Sequence, residues 1–331
     1  MDLDAITAAR RAEWQRLDEL SRRPPRDGAE VDELVARYRS ASADLADIKT
    51  SAGRTPTGDH VSTLLGRARL RLTGVPENPL RQVPRFFLLQ LPAALYRVRW
   101  TTFAVALGFV AASALVAGWI AGDPAAIAAL GEESDLRRYA EQDFTDYYSE
   151  NPAAVFAGQV WTNNAWIAAQ CVMFGITGVW PLMVLVQNAM GVGEAAAVLF
   201  AFGRGDVFFA SILPHGLLEL TSVFVAAATG LHIFWAWVAP GRRGRGEALA
   251  EAGRALATIV IGLILALALS GFIEGYITRQ PWPVWLKVGI GAVALGVFLG
   301  YMLVVGRRAA RLGETGDLTE YEAGTRRLVA G

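Results

Sequence analysis

Between residues 153 and 238 the chain holds only four charged side chains, Glu194, Arg204, Asp206 and Glu219, in a run of more than eighty residues. A water-soluble domain of that length needs a charged surface, so the stretch fits a folded state solvated by lipid. In lipid every backbone N–H and C=O must find its partner within the protein, which restricts spanning structure to helices or a closed barrel. The apolar runs are continuous rather than alternating, and 53% of the chain is hydrophobic. The expected fold class is all-α, a polytopic membrane helix bundle.

Six runs are long enough to cross about 30 Å of hydrocarbon, near residues 100–121, 153–178, 179–203, 207–238, 251–277 and 283–305. Gly175, Gly178 and Pro181 punctuate the second and third, which suits a tight helical hairpin. Re-entrant half-helices there would keep the same parity. Ahead of these runs, residues 1–99 carry 17 Lys+Arg and 13 Asp+Glu. Apolar residues recur in them at three- and four-residue steps, through Leu17 and Leu20, Val31, Leu34, Val35 and Tyr38, then Leu64, Leu65, Ala68 and Leu72. This is helical spacing, broken at Pro24-Pro25, Gly53 and Gly74-Val75-Pro76 into about three helices. Residues 79–98 set Phe86, Phe87, Leu88 and Leu89 among Arg81, Arg85, Arg97 and Arg99, and read as a juxtamembrane amphipathic helix on the lipid surface or a docking site for a cytoplasmic partner. The expected organisation is a cytoplasmic helical arm (1–99), a membrane domain (100–306) and a cytoplasmic tail (307–331).

Short flanks rich in Lys and Arg favour the cytoplasmic side. Arg97 and Arg99, then Arg242, Arg243 and Arg245, then Arg307, Arg308 and Arg311 all fall on one side if there are six spans. The connection 123–152 then lies outside, with eight acids (Asp123, Glu132, Glu133, Asp135, Glu141, Asp143, Asp146, Glu150) against Arg137 and Arg138. The expected localisation is a bacterial cytoplasmic membrane, multi-pass, with both termini in the cytoplasm. The first apolar run begins near residue 100, so it is expected to act as an uncleaved signal anchor. Cys171 is the sole cysteine, which excludes an intramolecular disulfide or a cysteine-based metal site.

Polar residues inside apolar spans are costly and often mark function. They are Asn163, Asn164, Asn188, Glu194, His215, Glu219 and Glu274. His215 and Glu219 stand four apart just after Pro214 and so share one helical face. Counted at about 1.5 Å per residue from the outer end of each span, all but Glu274 fall in one layer between the outer leaflet and the midplane. Glu274 is expected to be shallower, between Gly271 and Gly275, which let another helix approach closely. Three readings of the layer stay open. It is interhelical glue, or a binding or translocation site that exchanges protons, or a metal site with His215 and Glu219 as ligands and Glu194 or Glu274 as the third. The pattern is not H-E-x-x-H, because Gly216 follows His215 and His60 and His232 are placed elsewhere.

No phosphate-binding loop and no nucleophile elbow occur, and the G-R-R-G-R-G run at 241–246 has no strand before it. The chain is therefore expected not to be an enzyme and to need no cofactor. A net charge of about +4 on the arm is explained by membrane proximity, not by nucleic acid. Lipid is the first expected partner. Small-residue steps (Gly262 to Ala266, Gly271 to Gly275, then Gly289, Gly296 and Gly300) allow close packing within a protomer or in a homodimer.

T-N-N-A at 162–165, Q-N-A-M-G-V-G at 187–193, L-P-H-G-L-L-E-L at 213–220 and G-F-I-E-G-Y-I-T at 271–278 together resemble the stage II sporulation protein M family of bacterial integral membrane proteins. The arm is similar to actinobacterial members through Arg37-Tyr38-Arg39 followed by Asp44-Leu45. Ala189 departs from the glycine expected after Asn188. The resemblance implies a non-enzymatic scaffold in cell-envelope or peptidoglycan remodelling, with the acidic connection 124–150 as the contact for envelope proteins. The alternative is a permease subunit of the ABC-2 kind that works with a separate ATPase through residues 79–98 or 240–252. An intramembrane metal-dependent enzyme is the third.

Overall fold

The computed structural model describes residues 3–23, 25–53, 55–73, 83–146 and 152–316. The chain divides into two compact units, one of residues 1–85 with 319–331 and one of residues 86–318.

The first unit is a three-helix arm, α1 (Leu3–Arg22), α2 (Gly28–Ala52) and α3 (Pro56–Thr73). The expected breaks hold where they are described. Asp27 caps α2 by accepting from the Glu30 N–H at 2.9 Å, and Gly53 ends it at φ +67°, a conformation that costs a residue with a Cβ. Leu17, Leu20, Leu34, Leu45, Ile48, Leu64 and Leu65 form its core. Trp14 Nε1 donates to Asp44 Oδ2 at 2.9 Å, and Arg10 stands 3.3 Å from the other carboxylate oxygen, so α1 is tied to α2 by one largely buried polar contact. The Gly74-Val75-Pro76 break lies outside the described residues.

Among the described residues five helices are long and apolar enough to cross a membrane: α4 (Val83–Gly122), α8 (Val179–Ala201), α9 (Gly205–Val238), α10 (Arg245–Thr278) and α11 (Val284–Arg311). Between α4 and α8 come a short α5 (Pro124–Leu130), a helical stretch α6 (133–146) and α7 (Ala153–Met173). The expectation of six spans is thus met by five on length and apolarity. α7 has 21 residues, enough for about 30 Å at 1.5 Å each, but Gln159, Asn163, Asn164 and Gln170 dilute its hydropathy. α7 and α8 form a hairpin through one tight turn at Gly175–Thr177, and Gly178 turns the chain at φ +68°.

α4 is longer than expected. It begins at Val83 and runs without a break through the segment read as a lipid-surface helix, because Leu91, Ala93, Ala94, Leu95 and Val98 are buried in the bundle. Arginine stems at 97 and 99 leave this apolar stripe intact. Arg97 pairs with Glu251 of α10 at 2.8 Å, and Arg99 lies over the Tyr96 ring at 3.7 Å.

α9 is the central element, packing against α4, α7, α8, α10 and α11. Every residue from Ser222 to Gly230 is buried, which fits a helix apolar on all faces. Outward side chains on α4 and α11 are largely apolar, with Leu107, Leu115, Val293 and Val297 exposed. Exposed Trp100 and Trp119 stand nineteen positions apart on α4. At about 1.5 Å per residue this separates them by about 28 Å, close to one hydrocarbon thickness. Arg97, Arg243 and Glu251 gather at one end of the bundle, and Gly306 beside Pro92 brings the third basic flank there too. The connection 123–146 lies at the other end. Its Tyr139 and Phe144 pack on Ala196, Leu199 and Phe208.

Candidate functional site

Pro214 stands inside α9 and has no N–H to give to the turn before it. Gly291 of α11 closes on that turn so tightly that a Cβ there would collide with the Pro214 carbonyl. The next turn carries His215, which is buried, and Glu219, which is partly buried. Facing them is the last part of α10, where Ile273–Thr278 widens into a π-turn, a form often found at functional sites. This turn carries buried Glu274 and Thr278, four residues apart, with Ser270 one turn earlier.

The contacts form one connected set. Thr278 Oγ1 donates to the Ile273 carbonyl at 3.4 Å, so it accepts from His215 Nδ1, also at 3.4 Å. On the other side of the ring Nε2 faces Glu274, whose Oε1 is 3.6 Å away. The Ser270 hydroxyl is 3.0 Å from the His215 carbonyl and 3.3 Å from Glu219 Oε2. The Asn164 amide of α7 stands beside the Glu219 carboxylate and donates to the Val160 carbonyl of its own helix at 3.1 Å. One ligand-type atom each from His215, Glu219 and Glu274 lie within 4.8 Å of one another. Among the described residues Glu274 Oε2 is a buried oxygen with no hydrogen-bond partner.

The expected layer is therefore split. His215, Glu219 and Asn164 come together, and Glu274 joins them at the same level instead of lying shallower. His215 is ten residues inside α9 and Glu274 four from the end of α10, so α9 extends about 9 Å further at this end. Gly271 and Gly275 do admit a neighbour, as expected: a Cβ at 275 would stand 2.8 Å from the Ala153 carbonyl of α7. Asn163 is exposed on the other side of α7. Asn188 donates to the Val184 carbonyl of its own helix at 2.8 Å, and partly buried Glu194 on α8 is outside the set. His232 meets Thr101 at 3.1 Å at the basic end. Ser270 and Thr278 were not expected. Their spacing of four on either side of Glu274 was the available signal.

A cleft of about 720 Å³ is lined by Thr145, Asp206, Ser211, Arg279 and Lys287 among others, with Thr278 shared between cleft and cluster. Lys287 Nζ donates to the Thr278 carbonyl at 2.9 Å, holding the start of α11 against the end of α10.

The family profile of stage II sporulation protein M matches residues 101–279, more than half of the chain. The chain belongs to the stage II sporulation protein M family. The matched region runs from α4 to the end of α10 and contains every residue of the cluster. A second profile, a domain of unknown function (DUF8413), matches residues 4–74, the arm of this family member. Comparison with curated proteins and with solved structures finds no match.

Proposed function

We propose that this member of the family is a non-enzymatic membrane scaffold in a cell-envelope assembly, seated in a bacterial cytoplasmic membrane with the basic end in the cytoplasm and the connection 123–146 outside. The observation that carries this reading is the connection itself. It is held to the bundle by Tyr139 and Phe144, yet Glu132, Glu133, Asp135, Glu141 and Asp143 stay exposed. Arg137 and Arg138 pair with Glu133, Glu141, Asp135 and Asp143 along the helix, which stiffens the stretch and leaves it net acidic. A rigid charged element on a lipid-embedded base suits recruitment of envelope proteins by electrostatic complementarity.

The experiment compares proteins crosslinked in cells to the intact chain and to a chain whose residues 131–146 are replaced by a neutral linker. The scaffold reading expects extracytoplasmic proteins that are recovered only with the intact connection. Identical recoveries would rule it out.

The cleft that shares Thr278 with the polar cluster favours a second reading, a permease subunit served by a separate ATPase. That reading requires an ATP-hydrolysing protein to co-purify in mild detergent, and a preparation without one removes its support.

A further inference from the structure

We infer that His215, Glu219 and Glu274 bind one divalent transition-metal ion, and the donor set points to zinc. Imidazole nitrogen and carboxylate oxygen are zinc ligands, and three of them leave a fourth position for water or substrate. Two ligands about 2.1 Å from one tetrahedral ion stand about 3.4 Å apart. His215 Nε2 and Glu274 Oε1 are 3.6 Å apart, and the three ligand atoms all fall within 4.8 Å. Among the described residues no other three such side chains converge in this way.

Two further observations point to a cation. His215 Nδ1 faces Thr278 Oγ1, and Nε2 faces the Glu274 carboxylate at 3.6 Å, a separation too long for a hydrogen bond. Glu274, 4% exposed, buries Oε2 without a hydrogen-bond partner among the described residues. A buried acceptor in that state is costly, and a shared positive charge is what removes the cost. The surrounding groups are those a metal site needs. Thr278 contacts the imidazole, Ser270 contacts Glu219, and Thr278 also lines the neighbouring cleft. The scaffold role neither requires this ion nor excludes it.

The test uses the full chain without a polyhistidine tag, in detergent micelles, stripped with a chelator and titrated with Zn²⁺ against a chromophoric competitor. One Zn²⁺ per chain is expected. Glu219→Gln and Glu274→Gln, which keep side-chain volume, are expected to weaken binding at least about 100-fold, and Thr278→Val about 10-fold, in the range for ligand-orienting groups. Co²⁺ in place of Zn²⁺ should give the visible absorption of a four-coordinate site, absent from Glu274→Gln. Size exclusion and helical circular dichroism confirm that each variant is folded. A folded Glu219→Gln/Glu274→Gln double variant that binds zinc as well as the unchanged chain overturns the site. So does an unchanged chain that binds none, in which case shared protons hold the cluster together.

Discussion

The Ser270 hydroxyl lies 3.0 Å from the backbone carbonyl of His215, joining α10 to α9 at the residue next to Pro214. One small side chain therefore fixes the level at which Glu274 meets the imidazole. The same hydroxyl stands 3.3 Å from Glu219 Oε2, so it serves both the helix backbone and the carboxylate.

Ser270→Ala removes the hydroxyl that contacts both acceptors. Loss of a donor to buried acceptors costs about 1–3 kcal/mol. A lowered Tm of the detergent-solubilised chain is the expected result, and Ser270→Thr, which keeps the hydroxyl, should lose less. Equal Tm for Ser270→Ala and the unchanged chain would mean that the bond contributes nothing.

Gly275→Ala tests the contact between α10 and α7. The added Cβ would stand 2.7 Å from the Ala157 Cβ and 2.8 Å from the Ala153 carbonyl. Overpacking of this kind typically costs about 1–3 kcal/mol. Gly289→Ala on α11, where a Cβ meets nothing within 4 Å, is the control and should leave Tm unchanged. If both substitutions behave alike, the close approach at Gly275 is absent.

Acid should loosen the arm before its core melts. The Arg23 guanidinium, assisted by the Arg26 backbone N–H, pulls the Glu30 carboxyl down from 4.5 to about 2. A carboxylate depressed in the folded state stabilises fully above its ordinary value and loses that contribution as pH falls through the folded one. The unfolding midpoint of residues 1–73, expressed alone, should thus fall between about pH 4.5 and pH 2. Glu30→Gln should flatten that part of the profile. A profile identical in the two proteins would remove Glu30 as the cause.

Sidedness is open to a labelling experiment, because Cys171 is the sole cysteine and is buried. Ser134→Cys is expected to react with a membrane-impermeant maleimide in intact cells. Arg242→Cys, at the exposed basic loop, is expected to react only after the membrane is opened. The reverse pattern would invert the topology and place the acidic connection in the cytoplasm.

Much of the fold was legible because its cause is local. The near-absence of charge from 153 to 238, the helical spacing of Leu17, Leu20, Leu34, Leu64 and Leu65, and the breaks at Gly53 and Gly178 depend on neighbours within a few residues. The paired placement of His215 and Glu219 was legible for the same reason, since i and i+4 share a face. The start of α4 was not, because Arg97 and Arg99 disguise a stripe that is buried through Leu91, Leu95 and Val98.

The sequence by itself determined an all-helical membrane protein, its family and two of the three converging side chains. Tertiary structure alone decided the third. Glu194 and Glu274 were both candidates by residue type, and depth along its own helix set Glu274 apart from the layer. Which of them faces His215 depends on the rotation of each helix and on how far α9 extends past α10. Those are set by contacts between distant residues: Gly291 on Pro214, Gly275 on Ala153 and Ser270 on His215. Hydrophobic periodicity fixes which face of a helix turns inward, but only packing against another helix fixes what that face meets.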